Sequence, residues 1–162
     1  MKPIRMIPAV AIALLLSMAG PGGFGAATTS TASIRFPISI SVFVPCAAGG
    51  NGEVVDLSGS LHVVSSFTVN TNGVRIHNLA NSQGVSGVGE TTGDKYQGTG
   101  ETRADMHFDV VAFPLNVTFV NNFRIIGQGP DNNLLVHENL HMTVNPNGAL
   151  TSFVDNFSLT CQ

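Results

Sequence analysis

The sequence predicts an all-β fold, a single antiparallel domain of about eight strands. Three observations support this prediction. Apolar and polar residues alternate over most of the chain, turn signals separate the alternating runs, and no stretch beyond residue 27 has the 3.6-residue apolar spacing of a helix. Short connections make consecutive strands antiparallel. Strands of this number with one apolar face form a small closed barrel or a two-sheet sandwich, and we prefer the barrel.

The first four strands are predicted from alternation and from glycine. Every second residue from Ile34 to Val44 is apolar, and most residues of the same parity are apolar from Leu61 to Val69. Asn70–Gly73 is an Asn-Gly turn signal that ends the second strand. Repeated glycines from Gly84 to Gly100 indicate bulged, bent strands or a mobile loop. The predicted strands here are 34–44, 53–69, 74–80 and 84–91.

The later strands follow the same pattern. Apolar residues of one parity recur along each run, and the turn signals Gly129–Asn132 and Asn145–Gly148 separate the last three runs. The predicted strands here are 95–109, 117–127, 133–144 and 149–160.

Composition limits the classes of function. The chain has 162 residues, with 7 Lys+Arg against 10 Asp+Glu and a formal net charge of −3. This excludes a general nucleic-acid binder, which needs a basic surface to neutralise phosphates. Charged residues are 10 % of the chain, far below the roughly one quarter that is typical of globular proteins. The polar surface must therefore consist largely of Asn, Ser, Thr and Gln.

The N-terminal segment, residues 1–27, has the pattern of a secretory signal peptide. Lys2 and Arg5 precede an apolar run, Ile7–Ala19, which is too short to span a membrane and is followed by small residues. We expect cleavage after Ala27, and cleavage after the alanine that ends the apolar run is the alternative.

The mature chain is predicted to have two parts. A flexible tether covers residues 28–33, and the antiparallel β domain covers residues 34–162. No later apolar stretch is long enough to cross a bilayer, so we expect no membrane span in the mature protein. Cys46 and Cys161 form an even pair in a chain that is predicted to be exported, so we predict a disulfide between them.

One string in the sequence matches a zinc-protease signature. His137-Glu138-Asn139-Leu140-His141 fits H-E-x-x-H, which requires a helix so that both imidazoles reach one zinc ion. In the predicted strand, the two histidines would lie about 13 Å apart on one face, and Glu138 would point to the other. We therefore predict no metal site and no cofactor.

The strand interpretation instead brings two carboxylates together. If Asn145–Gly148 is a four-residue loop, Glu138 lies opposite Asp155 on an otherwise apolar face. A two-residue loop at Asn147-Gly148 shifts the pairing by two and keeps the two carboxylates as near neighbours. Carboxylates this close do not both stay ionised unless a proton, a cation or an arginine joins them.

Further polar residues interrupt the same face. Asn121 breaks the apolar parity of its strand, and pairing Val69 with Val74 places Ser65 opposite Asn78. A mostly apolar surface with a few polar groups is typical of a ligand site. The candidate ligand-binding residues are Glu138, Asp155, Asn121, Ser65 and Asn78.

These observations favour a secreted, disulfide-closed β-barrel module that binds a small molecule or a surface partner and has no chemistry of its own. Two alternatives remain open. One is a small hydrolase or isomerase that uses Glu138 and Asp155 as an acid/base pair. The other is a structural or cell-surface interaction protein with a polar, weakly charged exterior.

Overall fold

The protein forms one antiparallel sheet in which each strand pairs with the next in sequence. The computed structural model describes residues 27–109, 114–129 and 132–162. The strands are β1 (Thr28–Val44), β2 (Glu53–Asn70), β3 (Gly73–Gly89), β4 (Lys95–Phe108), β5 (Leu115–Gly127), β6 (Leu134–Val144) and β7 (Leu150–Cys161), and a short helical segment α1 (Ala47–Gly50) follows β1. The all-β antiparallel prediction is therefore confirmed.

The sheet has seven strands where the sequence predicts about eight, because β3 is continuous. It contains the predicted strand 74–80 and residues 84–89 of the predicted strand 84–91. Its pairing with β4 shifts between Asn81 and Val85, and Gly84 has a positive φ of 60° there. The glycine thus forms a β-bulge that bends one strand, instead of a turn that separates two.

The sheet is not closed. Within the described residues no ladder joins β1 to β7, so the preferred closed barrel is not supported, and all seven strands belong to one sheet instead of two. Strand number gives a physical reason. In an antiparallel meander of seven strands the first and last strands run in the same direction, so direct closure would need a parallel pair.

A disulfide holds the two edges of this sheet together at one end. Cys46, just after β1, is bonded to Cys161 at the end of β7, as predicted, with a Cα–Cα distance of 5.7 Å. Six strand spacings of about 4.8 Å would separate the edges of a flat sheet by about 29 Å. The sheet is therefore strongly curled at this end, which we call the disulfide end. The opposite end, where β1 begins, is the open end.

The core lies inside the curl at the disulfide end. Val44, Leu57, Tyr96 and Ile125 come from four different strands, and each is at most 1 % exposed. The remaining core residues are Cys46, Ala47, Val55, Val85 and Leu134. Since the buried strand residues all share one face of the sheet, that face is the concave one.

The two faces differ in charge. The strand registers place every described lysine, arginine and histidine on the convex face. These residues are Arg35, Arg75, Lys95, Arg103, Arg124, His62, His77, His107, His137 and His141. The concave face is apolar except for a few polar positions. It is uncovered along the edge strands, where Ile34 is 55 % exposed and Phe157 is 57 % exposed.

β1 begins at Thr28, so the residues predicted as a tether, 28–33, form the first part of that strand and pair with β2. Residues 1–26, which hold nearly all of the predicted signal peptide, lie outside the described residues. In the described part of the chain, no helix has the length and apolar character that a membrane span requires.

Candidate functional site

The H-E-x-x-H string lies in strand β6, as the alternation predicts. His137 Nδ1 lies 2.6 Å from Asn122 Oδ1, and His141 Nδ1 lies 3.2 Å from Thr118 Oγ1, both on the convex face. Glu138 is on the concave face. Among the residues that the structure describes, no group of three or more His, Cys, Asp or Glu side chains is placed to hold a metal ion.

The loop between β6 and β7 sets the register of the candidate carboxylates. Val144 pairs with Leu150, but Thr143 pairs with Ser152, so Thr151 is an extra, bulged residue. Asn145 closes the loop, because its N–H donates to the Ala149 carbonyl at 2.9 Å. A five-residue loop together with one bulge shifts the pairing by two from the register of a four-residue loop.

This register separates the two acids. Glu138 pairs with Phe157, and Asp155 pairs with Leu140. The register in which Glu138 faces Asp155 is therefore wrong, and the shifted alternative is the observed one. The two acidic residues are diagonal neighbours on the concave face. Residue positions related in this way on paired strands are about 7–8 Å apart.

The predicted site residues form two adjacent rows across the concave face. In one row, Thr102, Asn121 and Glu138 lie side by side on β4, β5 and β6, and Thr102 Oγ1 donates to Asn121 Oδ1 at 3.0 Å. In the next row, Ser65 pairs with Asn78 as predicted. The apolar residues Ala104, Phe119 and Leu140 separate Asn78 from Asp155 in that row. We call this set the polar band: Ser65, Asn78, Thr102, Asn121, Glu138 and Asp155.

The polar band has two carboxylates and no basic partner. Glu138 is half-buried and Asp155 is exposed on the edge strand. Neither forms an ion pair within the described part of the chain, where the only ion pairs involve His77 and His107 on the convex face. The band lies between the core and the apolar residues of the open end. A bound molecule would therefore meet apolar surface on both sides of a negatively charged strip.

A third concave carboxylate, that of Glu53, belongs to the fold instead. Glu53 is 2 % exposed and accepts hydrogen bonds from the backbone N–H groups of Thr91 and Thr92, the Thr92 hydroxyl and the Tyr96 hydroxyl. Burial raises the pKa of Glu53, but these hydrogen bonds lower it by more, so its pKa lies below the ordinary value. A Cβ on Gly89 would overlap this carboxylate.

Sequence reasoning missed two parts of this arrangement. Glu53 has the parity of the core residues Val55 and Leu57, and this was the available signal that its side chain points inward. Thr102 has the parity of Ala104 and Met106 on β4, which likewise places it on the concave face. Both signals are local, but the partners of each side chain come from other strands.

The convex face has a polar pocket near the open end. Its volume is about 380 Å³, and its lining residues are Thr68, Asn70, Asn72, Gly73, Arg75 and His107. The nearby acids already contact imidazoles: His77 Nδ1 lies 2.7 Å from Asp105 Oδ1, and His107 Nε2 lies 3.5 Å from Asp109 Oδ1. None of these lining residues is a large aliphatic or aromatic hydrocarbon side chain of the kind that lines the concave face.

Comparison with models of known protein families, with curated proteins and with solved structures gave no match to this chain.

Proposed function

We propose that the protein is a secreted binding module that holds a small amphipathic molecule on the concave face of its sheet. One observation carries this proposal: the polar band crosses an apolar face that no other layer of the described chain covers. The disulfide fits an oxidising compartment outside the cytosol, which supports secretion.

Large apolar side chains are exposed on the concave face. The most exposed of them are on the edge strands: Ile34, Phe36, Ile40, Leu150, Phe153, Phe157 and Leu159. Between 36 % and 57 % of each is accessible. On each edge strand these side chains share one face, and exposed apolar patches of this kind mark binding sites.

The physical chemistry of the face defines the ligand. Each methylene group that a ligand buries contributes about 0.8 kcal/mol, so a ten-carbon chain supplies about 8 kcal/mol before the entropy cost of binding. Glu138 and Asp155 accept hydrogen bonds and carry negative charge. The favoured head group is therefore a hydrogen-bond donor, and a protonated amine fits best because none of the described residues on the concave face is basic.

Titration calorimetry with dodecylamine, dodecanol and dodecanoate tests the proposal, with the two ionic compounds below their critical micelle concentrations and dodecanol below its solubility limit. We expect affinity in the order amine, alcohol, carboxylate. Glu138→Gln should weaken amine binding by about tenfold and alcohol binding by less, since the amide oxygen still accepts a hydrogen bond but carries no charge to pair with the ammonium.

Two further variants locate the site. Glu101→Gln removes an exposed carboxylate from the convex face and is the matched control, which should bind like the wild type. Ala80→Phe places a bulky ring on the concave face beside the polar band and should weaken binding of the amine and the alcohol alike. Equal affinity for all three amphiphiles, or an equal effect of the Glu138 and Glu101 substitutions, would show that the concave face is not the site.

A further inference from the structure

Neither edge strand is paired on its outer side, since no ladder joins β1 to β7 within the described residues. β1 and β7 both run toward the disulfide end, because Cys46 follows the end of β1 and Cys161 ends β7. An added strand between them would run antiparallel to both. The strand count would then be even, which all-antiparallel closure requires. We call the gap between β1 and β7 the slot.

Both sides of the slot have the exposed groups that strand addition uses. Edge strands present unpaired backbone N–H and C=O groups. On β1, Ile34 and Ile40 are 55 % and 41 % exposed, and on β7, Phe153 and Phe157 are 55 % and 57 % exposed. All four side chains point to the concave side, so an added strand would bury them with its own inward-facing residues.

We propose that an extended segment of a partner polypeptide binds in the slot as an eighth strand, antiparallel to β1 and β7. Backbone hydrogen bonds to two edges supply affinity, and alternate side chains supply specificity, as in other cases of strand addition. The segment enters from the open end, because the disulfide joins the two edges at the other end. This inference goes beyond the small-ligand proposal and depends on the edges instead of the polar band as a whole.

Charge complementarity identifies the partner segment further. Asp155 points inward from the β7 side of the slot, and no basic side chain of the described strands lies on that face. The inserted strand is therefore expected to alternate apolar inward residues with polar outward ones and to carry one lysine or arginine among the inward residues. In the described strands every basic residue is on the convex parity, so none of these strands has that pattern. The proposed occupant is therefore a segment of a different polypeptide.

A synthetic peptide tests this proposal on the full oxidised chain. The probe is acetyl-Ser-Val-Thr-Val-Ser-Lys-Thr-Val-Ser-Val-Thr-amide, and binding is measured by titration calorimetry. Two analogues carry N-methyl groups, one on the inward-facing residues and one on three outward-facing residues. A strand between two edges donates alternate N–H groups to opposite sides, so both analogues should bind at least about tenfold more weakly.

The charge is tested separately. Replacing the peptide lysine by norleucine should weaken binding to the wild type by about tenfold and should have much less effect on Asp155→Asn. Glu101→Gln is again the control and should respond like the wild type. Hydrogen exchange should slow in β1 and β7 together when the peptide binds.

Other outcomes overturn the inference. If only one of the two N-methylated analogues bound more weakly, the peptide would be adding to a single edge. If both analogues bound as well as the unmodified peptide, the peptide would not be binding as a strand. No binding of the probe, or a dimer whose β1 and β7 amides are protected without peptide, would mean that the slot is not a site for a foreign strand. Amphiphile binding is measured independently, so failure of the small-ligand proposal is distinguishable from each of these results.

Discussion

Tyr96→Phe tests how much the hydrogen bonds around Glu53 contribute to stability. The substitution removes the hydroxyl that donates to Glu53 Oε1 at 2.7 Å and leaves the ring, which is 1 % exposed, in the core. A hydrogen bond to a charged group contributes about 1.5–3 kcal/mol. We therefore expect the free energy of unfolding at pH 7 to fall by about 2 kcal/mol.

Urea unfolding followed by far-UV circular dichroism measures this change. The same measurement on Glu53→Gln and on the double variant completes a double-mutant cycle. Since the tyrosine hydroxyl acts through the carboxylate, Tyr96→Phe should have a much smaller effect when Glu53 is already replaced. An equal effect of Tyr96→Phe in both backgrounds would refute the assigned role of this hydrogen bond.

The pKa of Glu53 fixes the sign of the pH dependence. Because the folded pKa lies below the ordinary value of 4.5, the contribution of this group to stability is fully present above pH 4.5. It is lost as the pH falls through the lower folded pKa. The difference in unfolding free energy between the wild type and Glu53→Gln should thus be constant from pH 7 to pH 5 and shrink at pH 3. A difference that grows on acidification would contradict the argument.

Three further predictions concern stability and are tested by the same urea unfolding measurement. The disulfide closes a loop with a sequence separation of 115. The free energy of unfolding should therefore fall by about 5 kcal/mol in a Cys46→Ser/Cys161→Ser double variant. A fall of less than about 1 kcal/mol would mean that the curl forms without the bond. Gly89→Ala should cost about 1–3 kcal/mol because the added Cβ overlaps the Glu53 carboxylate, and an unchanged midpoint would contradict this close contact. A Cβ on Gly84 meets no neighbour, so Gly84→Val should lower the free energy of unfolding by about 1–2 kcal/mol through the positive φ alone. Gly84→Asn should lower it by less, because asparagine tolerates this conformation.

Alternation was enough to predict which residues share a face. Every second residue of a strand points the same way, so the inward parity of Ile34, Phe119 and Leu140 follows from the sequence without any knowledge of the partner strands. The same argument placed Glu138 and His137 on opposite faces of the strand. This excluded the zinc-protease interpretation of the H-E-x-x-H string, which requires a helix. The disulfide was predictable because only two cysteines are present in a chain that is predicted to be exported.

Register and closure were not predictable to the same degree, because they depend on features that alternation does not record. The bulge at Thr151 adds one residue to β7, and the loop that begins at Asn145 has five residues, so the pairing of Glu138 moved by two positions. Gly84 is equally suited to a turn and to a bulge, and the longer pairing of β3 with both neighbours decides between them. Whether the sheet can close into a barrel depends on the number of strands, and this number is seven because Gly84 forms a bulge and not a turn.

Residues of the two edge strands restrict what can bind at the edges of the sheet. Proline and inward-facing charge both discourage edge-to-edge pairing, and β1 contains Pro37 while β7 contains Asp155. An apolar strand that entered the slot would remove the Asp155 carboxylate from water without a partner, at a cost of several kcal/mol. A strand with a basic residue opposite that position avoids this cost. In the proposed complex, one side chain would therefore oppose self-association and select the partner.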